Sequence, residues 1–401
     1  MSSTESAVGL EAKPYAAAGV AVGWPWREGN RFHLLAESDG IFRRMLAAIA
    51  GARESVLLEM YLVGSGTVTR RFIDELASCA RRGVRVHVLF DAFGSLGLRA
   101  ADRRRLADSG AHLTFFNPLS VRKRLQNCLR DHRKLLVVDG VLAFVGGVGL
   151  ADEFIDGKRG RLAWRDLMLE ISGPVVSDWQ TAFARNWSRS GGAPEVPEAT
   201  PETPDQASIE AGARGRLALS EAGHRSILAN DVVKRINGAL RRAWIMSAYF
   251  VPSRRFRKAL RRAARRGVDV RLLVPGPKTD HPWVRHAARR FYGKLLRNGV
   301  RIFEYQPRVL HGKMTLCDDW VSLGSSNLDR WSFRWNLEAN QEIESAAFAA
   351  QAAAIFTADC GESQELDRHH WRRRAVLDRL RESIAGVLDR ILDRWRHSRD
   401  R

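Results

Sequence analysis

The chain has 401 residues and a formal net charge of +20, with 65 lysines and arginines against 45 aspartates and glutamates. Its hydrophobic fraction of 45% is that of a globular protein and argues against a disordered or fibrous chain. Its four cysteines form no CxxC pair or Cys/His cluster, so the sequence predicts neither a disulfide framework nor a zinc site, and we expect chemistry without a metal or cofactor.

The predicted domains follow in chain order. Residues 1–28 form a flexible N-terminal segment, 29–189 a first lobe, 190–212 a linker rich in proline and glutamate, 213–360 a second lobe, and 361–401 a basic helix. Apolar stretches such as "YAAAGVAVGW" are shorter than the ~20 residues that a membrane-spanning helix needs. Residues 1–12 lack the basic start of a secretory signal, so we expect the chain to stay on the cytoplasmic side.

Each lobe begins with the same pattern of elements. In the first lobe "SVLLEMYL" predicts a strand, "RRFIDELASCARRG" an amphipathic helix, and "RRGVRVHVLF" a second strand. The order returns in the second lobe as "AWIMSAYF", a helix, and "RRGVDVRLLV". This duplication predicts two α/β lobes in which sheets with parallel strands are covered by helices.

A histidine, lysine and aspartate motif then occurs once in each lobe. In a strand, residues two apart face the same side, so each histidine projects together with its lysine. Two histidines can divide phosphoryl transfer, one attacking phosphorus and the other handling the proton of the leaving oxygen, while the lysines hold the anion. Each aspartate stands at a predicted turn between two strands, which favours a structural role. The candidate catalytic residues are His132, Lys134 and Asp139 in "HRKLLVVD", and His311, Lys313 and Asp318 in "HGKMTLCD".

A loop of small residues follows each motif, "GGVGLAD" at 146–152 and "GSSNLD" at 324–329. Small residues let backbone amides approach an anion closely. We therefore predict that Gly147 contributes to substrate binding through its backbone, and that Ser325 and Asn327 contribute a hydroxyl and a carboxamide.

The basic helix at the end of the chain is amphipathic. Its apolar face can pack on the protein or lie on an anionic membrane beside its arginines, and the sequence leaves both open at this point. The apolar face consists of Trp371, Val376, Leu380, Ile384, Val387, Leu388, Ile391 and Trp395.

The paired motifs resemble those of the phospholipase D superfamily. The longer strings "WREGNRFHLL", "HRKLLVVDGVLAFVGG" and "GSSNLDRWSFRWNLEAN" resemble the bacterial cardiolipin synthases within it, in particular the B type without membrane-spanning helices. The resemblance implies two pseudo-symmetric lobes, each a mixed and mostly parallel sheet flanked by helices, with the active site at the lobe interface. Gly149 stands where this family usually has asparagine.

The resemblance also implies a reaction and roles for residues. Two phosphatidylglycerol molecules would give cardiolipin and glycerol, with His132 as nucleophile through a phosphohistidine and His311 as acid and base. Glu338 would orient His132, and Asp166 would orient His311, each from the opposite lobe. Surface ion pairs are the alternative for these two acids.

The expected partner is an anionic phospholipid membrane. For an enzyme of bilayer lipids without a spanning helix, we favour the membrane position of the C-terminal helix, at the cytoplasmic face of the inner membrane. Hydrolysis to phosphatidic acid, and phosphatidylethanolamine as a second substrate, remain alternatives. A nucleic-acid phosphodiesterase would suit the charge, but no series of base-stacking aromatics is present, so no nucleic acid is expected. A non-catalytic scaffold would not need both histidines and both lysines.

Overall fold

The structure is a computed structural model that describes residues 23–157, 160, 162–199, 204, 206–220, 227–329 and 335–373. Within these ranges the strands are β1 (Arg27–Leu35), β2 (Ser55–Met60), β3 (Arg85–Asp91), β4 (His112–Phe116), β5 (Arg130–Asp131), β6 (Lys134–Val138), β7 (Leu142–Gly146), β8 (Met168–Ser172), β9 (Ala213–Ser220), β10 (Arg242–Ser247), β11 (Asp269–Pro275), β12 (Arg301–Tyr305), β13 (Lys313–Cys317), β14 (Trp320–Gly324), β15 (Asn336–Glu344) and β16 (Ser363–Glu365). The helices are α1 (Ser38–Ala50), α2 (Thr67–Arg81), α3 (Ala100–Ala107), α4 (Val175–Arg189), α5 (Gln206–Ala211), α6 (Ile227–Gly238), α7 (Arg254–Arg265), α8 (Pro282–Leu296), α9 (Ala346–Gly361) and α10 (Arg368–Arg373), with 3-10 turns at Val121–Cys128 and Asp152–Phe154.

The strand order repeats between the two halves of the chain. The first half is ordered β1-β8-β7-β6-β2-β3-β4, and the second half follows the same order as β9-β15-β14-β13-β10-β11-β12, with β16 added beside β12. The two halves join edge to edge where β1 pairs with β9. The predicted fold class, a duplicated α/β architecture, is therefore confirmed.

The sheet is more antiparallel than the sequence suggests. Parallel pairing is found in β2-β3-β4 and in β10-β11-β12, the strand-helix-strand units. The histidine motifs lie on hairpins, β6-β7 and β13-β14, and these add antiparallel pairs beside β2 and β10. Among the described strands antiparallel pairs outnumber parallel ones, because strands joined by a tight turn must pair antiparallel and each motif hairpin also pairs antiparallel with the strand on either side of it.

The buried apolar residues form three clusters. One lies between the first half of the sheet and α1, α2 and α3, and a second lies between the other half and α6, α7 and α8. The third takes side chains from both halves of the sheet together with α4 and α9, including Trp179, Phe183 and Phe356. The two lobes therefore share a core, in addition to the core that each has with its own outer helices.

The predicted segments between and beyond the lobes are only partly described. Within the linker, Val196 packs against the shared core, and Trp187 of α4 donates to the carbonyl of Pro194 (2.9 Å). Residues 206–211 form α5, so part of this segment is helical. Residues 1–22 and most of the predicted C-terminal helix, from 374 onward, lie outside the described residues, and the proposed domain boundaries stay predictions.

The aspartate of each motif ties its hairpin to the strand beside it. Asp139 and Asp318 adopt left-handed φ angles of 52° and 51° at the turns. The Asp139 carboxylate accepts the backbone amides of residues 53–55, and that of Asp318 accepts those of residues 240–242. Burial would raise the pKa of Asp318, but these amide hydrogen bonds bring it below its ordinary value. Both aspartates lie five residues beyond their lysines, about 16 Å along a strand.

We expect Asp139→Asn to lower stability and to leave catalysis intact. The carboxamide loses the charge and one of the acceptor oxygens, at a cost of about 1 kcal/mol, since the site is partly exposed. That cost corresponds to a fall in melting temperature of about 2 °C. Thermal unfolding and the initial rate, measured on one preparation, test both statements. A variant that melts like the parent and has lost turnover would give Asp139 a catalytic role.

Candidate active site

The segment before each histidine crosses to the opposite lobe. β5 pairs in parallel with the start of β15, and the amide of His132 donates to the carbonyl of Leu337 (2.9 Å). In the other half, the amide of His311 donates to the carbonyl of Arg165 (2.7 Å). Each histidine is thus held by backbone of the other lobe, which places both histidines at the lobe interface.

A buried carboxylate from the opposite lobe contacts each histidine. Glu338 Oε2 lies 3.0 Å from His132 Nδ1, and Asp166 Oδ2 lies 2.5 Å from His311 Nδ1. All four side chains are buried, which excludes surface ion pairs as the role of the two acids. A carboxylate at Nδ1 favours the tautomer protonated there and leaves Nε2 as the ring nitrogen that a substrate can use.

The two lysines lie beside the histidines and are buried as well. Lys134 Nζ donates to the carbonyl of His132 (2.6 Å), and Lys313 Nζ donates to the carbonyl of His311 and lies 3.0 Å from its Nδ1. Burial lowers the pKa of Lys134 to about 7; Glu338 opposes this shift, and Lys313 adds to it. Burial lowers the pKa of Lys313 too. Because the charge of one lysine affects the other, the two motifs share one electrostatic environment.

Burial favours the neutral form of both histidines in the absence of a bound anion. Burial lowers the pKa of His132 to about 4, although the nearby Glu338 opposes the shift. Burial and the charge of Lys313 lower the pKa of His311. Burial would raise the pKa of Asp166, but Lys313 and His311 lower it below its ordinary value, so this carboxylate stays charged beside its histidine.

The predicted substrate-binding residues occupy three different settings. The Ser325 hydroxyl donates to Glu338 Oε2 (2.6 Å) and so supports the acid that contacts His132. Gly147, at the equivalent position of the first lobe, packs so closely on Asp166 that a Cβ there would overlap the carboxylate. Asn327 is 2% exposed, and among the described residues its Oδ1 has no hydrogen-bond partner.

Gly149 has no room for the asparagine usual at its position. A Cβ on this glycine would lie 2.8 Å from the Leu62 carbonyl oxygen and 3.4 Å from the ring of Phe154. The backbone of the first loop packs against Leu62. The second lobe can therefore offer the Asn327 carboxamide to an anion, whereas the first lobe has no side chain at the equivalent position.

Aromatic residues that the sequence analysis did not single out surround the histidines. The Tyr61 ring lies 4.7 Å from that of His132, and Lys134 Nζ lies 5.2 Å from the Tyr61 ring centre. Trp164 and Tyr249 lie 5.2 Å and 6.1 Å from the His311 ring. Tyr61 and Tyr249 end the strings "EMY" and "SAY" at equivalent positions of the two lobes. This repetition is the feature of the sequence from which the two tyrosines could have been identified.

A buried polar network beneath His132 was also missed. Asn186 Nδ2 donates to Glu59 Oε1 (2.7 Å) and to Asp131 Oδ2 (2.9 Å), and both acids are fully buried. Burial and the neighbouring Glu59 raise the pKa of Asp131. In the second lobe, Leu310 stands in place of Asp131, so this network distinguishes the setting of His132 from that of His311.

Within the described part of the chain, no group of three or more histidine, cysteine, aspartate or glutamate side chains is arranged to hold a metal ion. Among the described helices, none combines the length and apolar character required to cross a bilayer.

The chain is similar in sequence to proteins of one family. The family described as "Cardiolipin synthase, PLD-like domain" matches residues 45–187 and 232–360. Cardiolipin synthase A of Pseudomonas putida (strain W619) is 35% identical over 373 residues, which cover 92% of this chain and 76% of that protein. Cardiolipin synthase A of Pseudomonas aeruginosa (strain LESB58) is 35% identical over 370 residues, with 92% and 74% covered. Both relatives are named cardiolipin synthase A, so these matches do not support the B type over the A type.

A solved structure shares the fold. The phosphatidylserine synthase of Haemophilus influenzae Rd KW20 superposes with a TM-score of 0.69 at 12% identity, covering 90% of this chain and 93% of that one. At this identity the similarity shows the architecture alone.

Proposed function

The chain belongs to the cardiolipin synthase family with phospholipase D-like domains, and from this membership we propose that it transfers a phosphatidyl group between two phosphatidylglycerol molecules. The products are cardiolipin and glycerol. The observation that supports this most directly is the pair of buried histidines, each contacted by a carboxylate of the other lobe.

In the proposed first half-reaction, Nε2 of neutral His132 attacks the phosphorus of phosphatidylglycerol. The bond from phosphorus to the glycerol oxygen breaks, and protonated His311 gives its proton to that oxygen. The lowered pKa of Asp166 supports this division, because a carboxylate that stays charged stabilises an imidazolium at His311. The covalent product is a phosphatidyl-histidine.

In the second half-reaction the proton moves the other way. His311, now neutral, takes the proton from the free hydroxyl of a second phosphatidylglycerol, whose oxygen attacks phosphorus and releases His132. Lys134, Lys313 and Asn327 stabilise the charge on the non-bridging oxygens. Water in place of the second lipid would give phosphatidic acid.

The experiment is to add the protein to phosphatidylglycerol vesicles and to follow lipids and glycerol by mass spectrometry. Cardiolipin and glycerol released in equal amounts support the synthase. Phosphatidic acid without cardiolipin would replace it with a hydrolase, and cleavage of single-stranded DNA with inert lipids would replace it with a nuclease. Vesicles that also contain phosphatidylethanolamine identify the acceptor.

The pH dependence follows from the lowered pKa values. For the free enzyme we expect kcat/KM to rise as the pH increases through about 4, where His132 becomes neutral, and to fall as the pH increases through about 7, where Lys134 loses its proton. Loss of the proton from His311, whose pKa is lowered from its ordinary value, contributes to the same fall. A bound anionic phosphodiester favours the charged lysine, so the falling limb of kcat should lie at higher pH. Initial rates at low and at saturating lipid test this. Identical falling limbs would contradict it.

We also place the enzyme at the surface of the inner membrane, on its cytoplasmic face. The lipid substrate of the proposed reaction supports this position, and the net charge of +20 favours an anionic surface.

A further inference from the structure

Exposed apolar side chains are concentrated on loops next to the active site. Among the described residues ten large apolar side chains are exposed, and six of them follow β3, β4 or β11, at the carboxyl ends of the parallel strands. The six are Phe93, Leu96, Leu119, Val121, Leu125 and Trp283. Of the other four, Val141 and Leu240 lie at the opposite end of the strands, near the motif aspartates.

The first two loops adjoin His132. In the loop of residues 92–98, Gly94 packs on the backbone of Tyr61, whose ring contacts His132. The segment of residues 117–129 leads directly into β5, and Arg130 Nη2 donates to the carbonyl of Asn117 (3.0 Å). Both loops are therefore anchored to the residues that position His132.

The loop of the second lobe adjoins His311. Trp283 is 62% exposed and stands two residues beyond His281. The His281 ring lies 5.3 Å from that of Tyr249, which in turn lies 6.1 Å from that of His311. Exposed apolar side chains thus flank the active site on both lobes.

The charge of the 117–129 segment indicates what covers these side chains. It contains Arg122, Lys123 and Arg124 and no acidic residue, and Val121 beside them is 96% exposed. Apolar side chains next to cations are typical of a surface that lies in the interface of an anionic bilayer, where the cations meet headgroups and the apolar groups meet acyl chains. Nucleic acid would be attracted by the cations but would gain nothing from exposed aliphatic groups.

We propose that residues 92–98 and 117–129 with Trp283, which we call the active-site rim, insert into the surface of an anionic phospholipid bilayer. The inference rests on the proposed function and extends it, because it states how the active site meets its substrate. A lipid headgroup then reaches the histidines while its acyl chains remain in the bilayer.

Two double variants of the full chain provide a matched test. Leu96→Ser with Val121→Ser changes the rim, and Val141→Ser with Leu240→Ser changes a leucine and a valine that are also exposed, at the far end of the sheet. On vesicles of phosphatidylglycerol and phosphatidylcholine, we expect the rim variant to bind about tenfold more weakly and the control to bind within about twofold of the parent. Co-sedimentation measures both. Equal binding of the rim variant and the parent would overturn the inference.

Activity on two forms of the lipid separates this inference from the proposed function. With vesicles, the rim variant should lose activity in parallel with binding, and with short-chain phosphatidylglycerol dissolved as monomers it should match the parent. Equal loss on both forms would assign the rim to catalysis or folding and would overturn the docking role. A parent protein that binds vesicles through the rim and transforms neither form would refute the proposed reaction and leave the docking surface standing. Rim-dependent self-association with unchanged vesicle binding would assign the surface to a second copy of the chain.

Discussion

A His132→Ala variant is expected to turn over phosphatidylglycerol at least about 10⁴-fold more slowly than the parent protein, because the attacking nitrogen is gone. The neighbouring groups do not replace it. Lys134 and Tyr61 lie beside the ring, but the lysine donates to the backbone and the tyrosine has its pKa raised to about 12, mainly by burial. Cardiolipin formation in vesicles, followed by mass spectrometry, measures the loss. His33→Ala, an exposed histidine on β1, is the matched control and should act like the parent.

His311→Ala is also expected to lose cardiolipin synthesis, but because the leaving oxygen then lacks its proton donor. A substrate with an activated leaving group distinguishes the His311→Ala variant from the His132→Ala variant. A phosphatidyl ester of p-nitrophenol needs no proton on its leaving group, so His311→Ala should still release one equivalent of nitrophenol and retain the lipid on His132. His132→Ala should release none. Intact-protein mass spectrometry detects the adduct. A lipid adduct on His311 in the His132→Ala variant would reverse the assignment of nucleophile and acid.

Residues close in sequence account for the parts of the site that could be predicted. The spacing of two between His132 and Lys134 fixes their common side on any extended segment, and the tight turn at Asp139 follows from the chemistry of an Asp-Gly pair. The duplicated strings before each motif predict the repeated strand order that is observed. These features depend on local geometry, which a single sequence carries.

Other parts depend on contacts between distant segments. The network of Glu59, Asp131 and Asn186 joins β2, β5 and α4, and a glutamate inside an apolar strand gives no indication of its partner. The crowding at Gly149 comes from the backbone of Leu62, which is distant in sequence. From the sequence alone, the absence of asparagine at this position indicates only that a side-chain contact to phosphate is missing. Antiparallel pairs outnumber parallel ones because the motif hairpins enter the same sheet as the parallel units, an arrangement that periodicity alone does not determine.

The two carboxylates should differ in their response to neutralisation, Asp166→Asn costing about 10⁴-fold in turnover and Glu338→Gln about 10²-fold. The Leu167 amide donates to Asp166 Oδ1 (2.7 Å), so in the variant the carboxamide oxygen must stay there and its NH₂ must face His311. An NH₂ group can only donate to Nδ1, and it therefore forces the tautomer with the proton on Nε2. In that form His311 has no lone pair to accept the proton of the incoming alcohol.

Glu338→Gln does not force this change. In the parent, Ser325 donates to Glu338 Oε2, the oxygen that faces His132, and Asn336 donates to Oε1 (3.2 Å). In the variant, the hydrogen bond from Ser325 keeps the carboxamide oxygen at the Oε2 position. The NH₂ group therefore takes the Oε1 position, away from His132. The tautomer of His132 survives, and the variant loses mainly the negative charge that stabilises the ring as it becomes cationic. Glu344→Gln, farther along β15, is the control and should keep full turnover. With the nitrophenyl donor, Asp166→Asn should give a burst and then stall, whereas Glu338→Gln should show a slower burst. A larger loss for Glu338→Gln than for Asp166→Asn would mean that charge at His132, and not the tautomer of His311, limits the reaction.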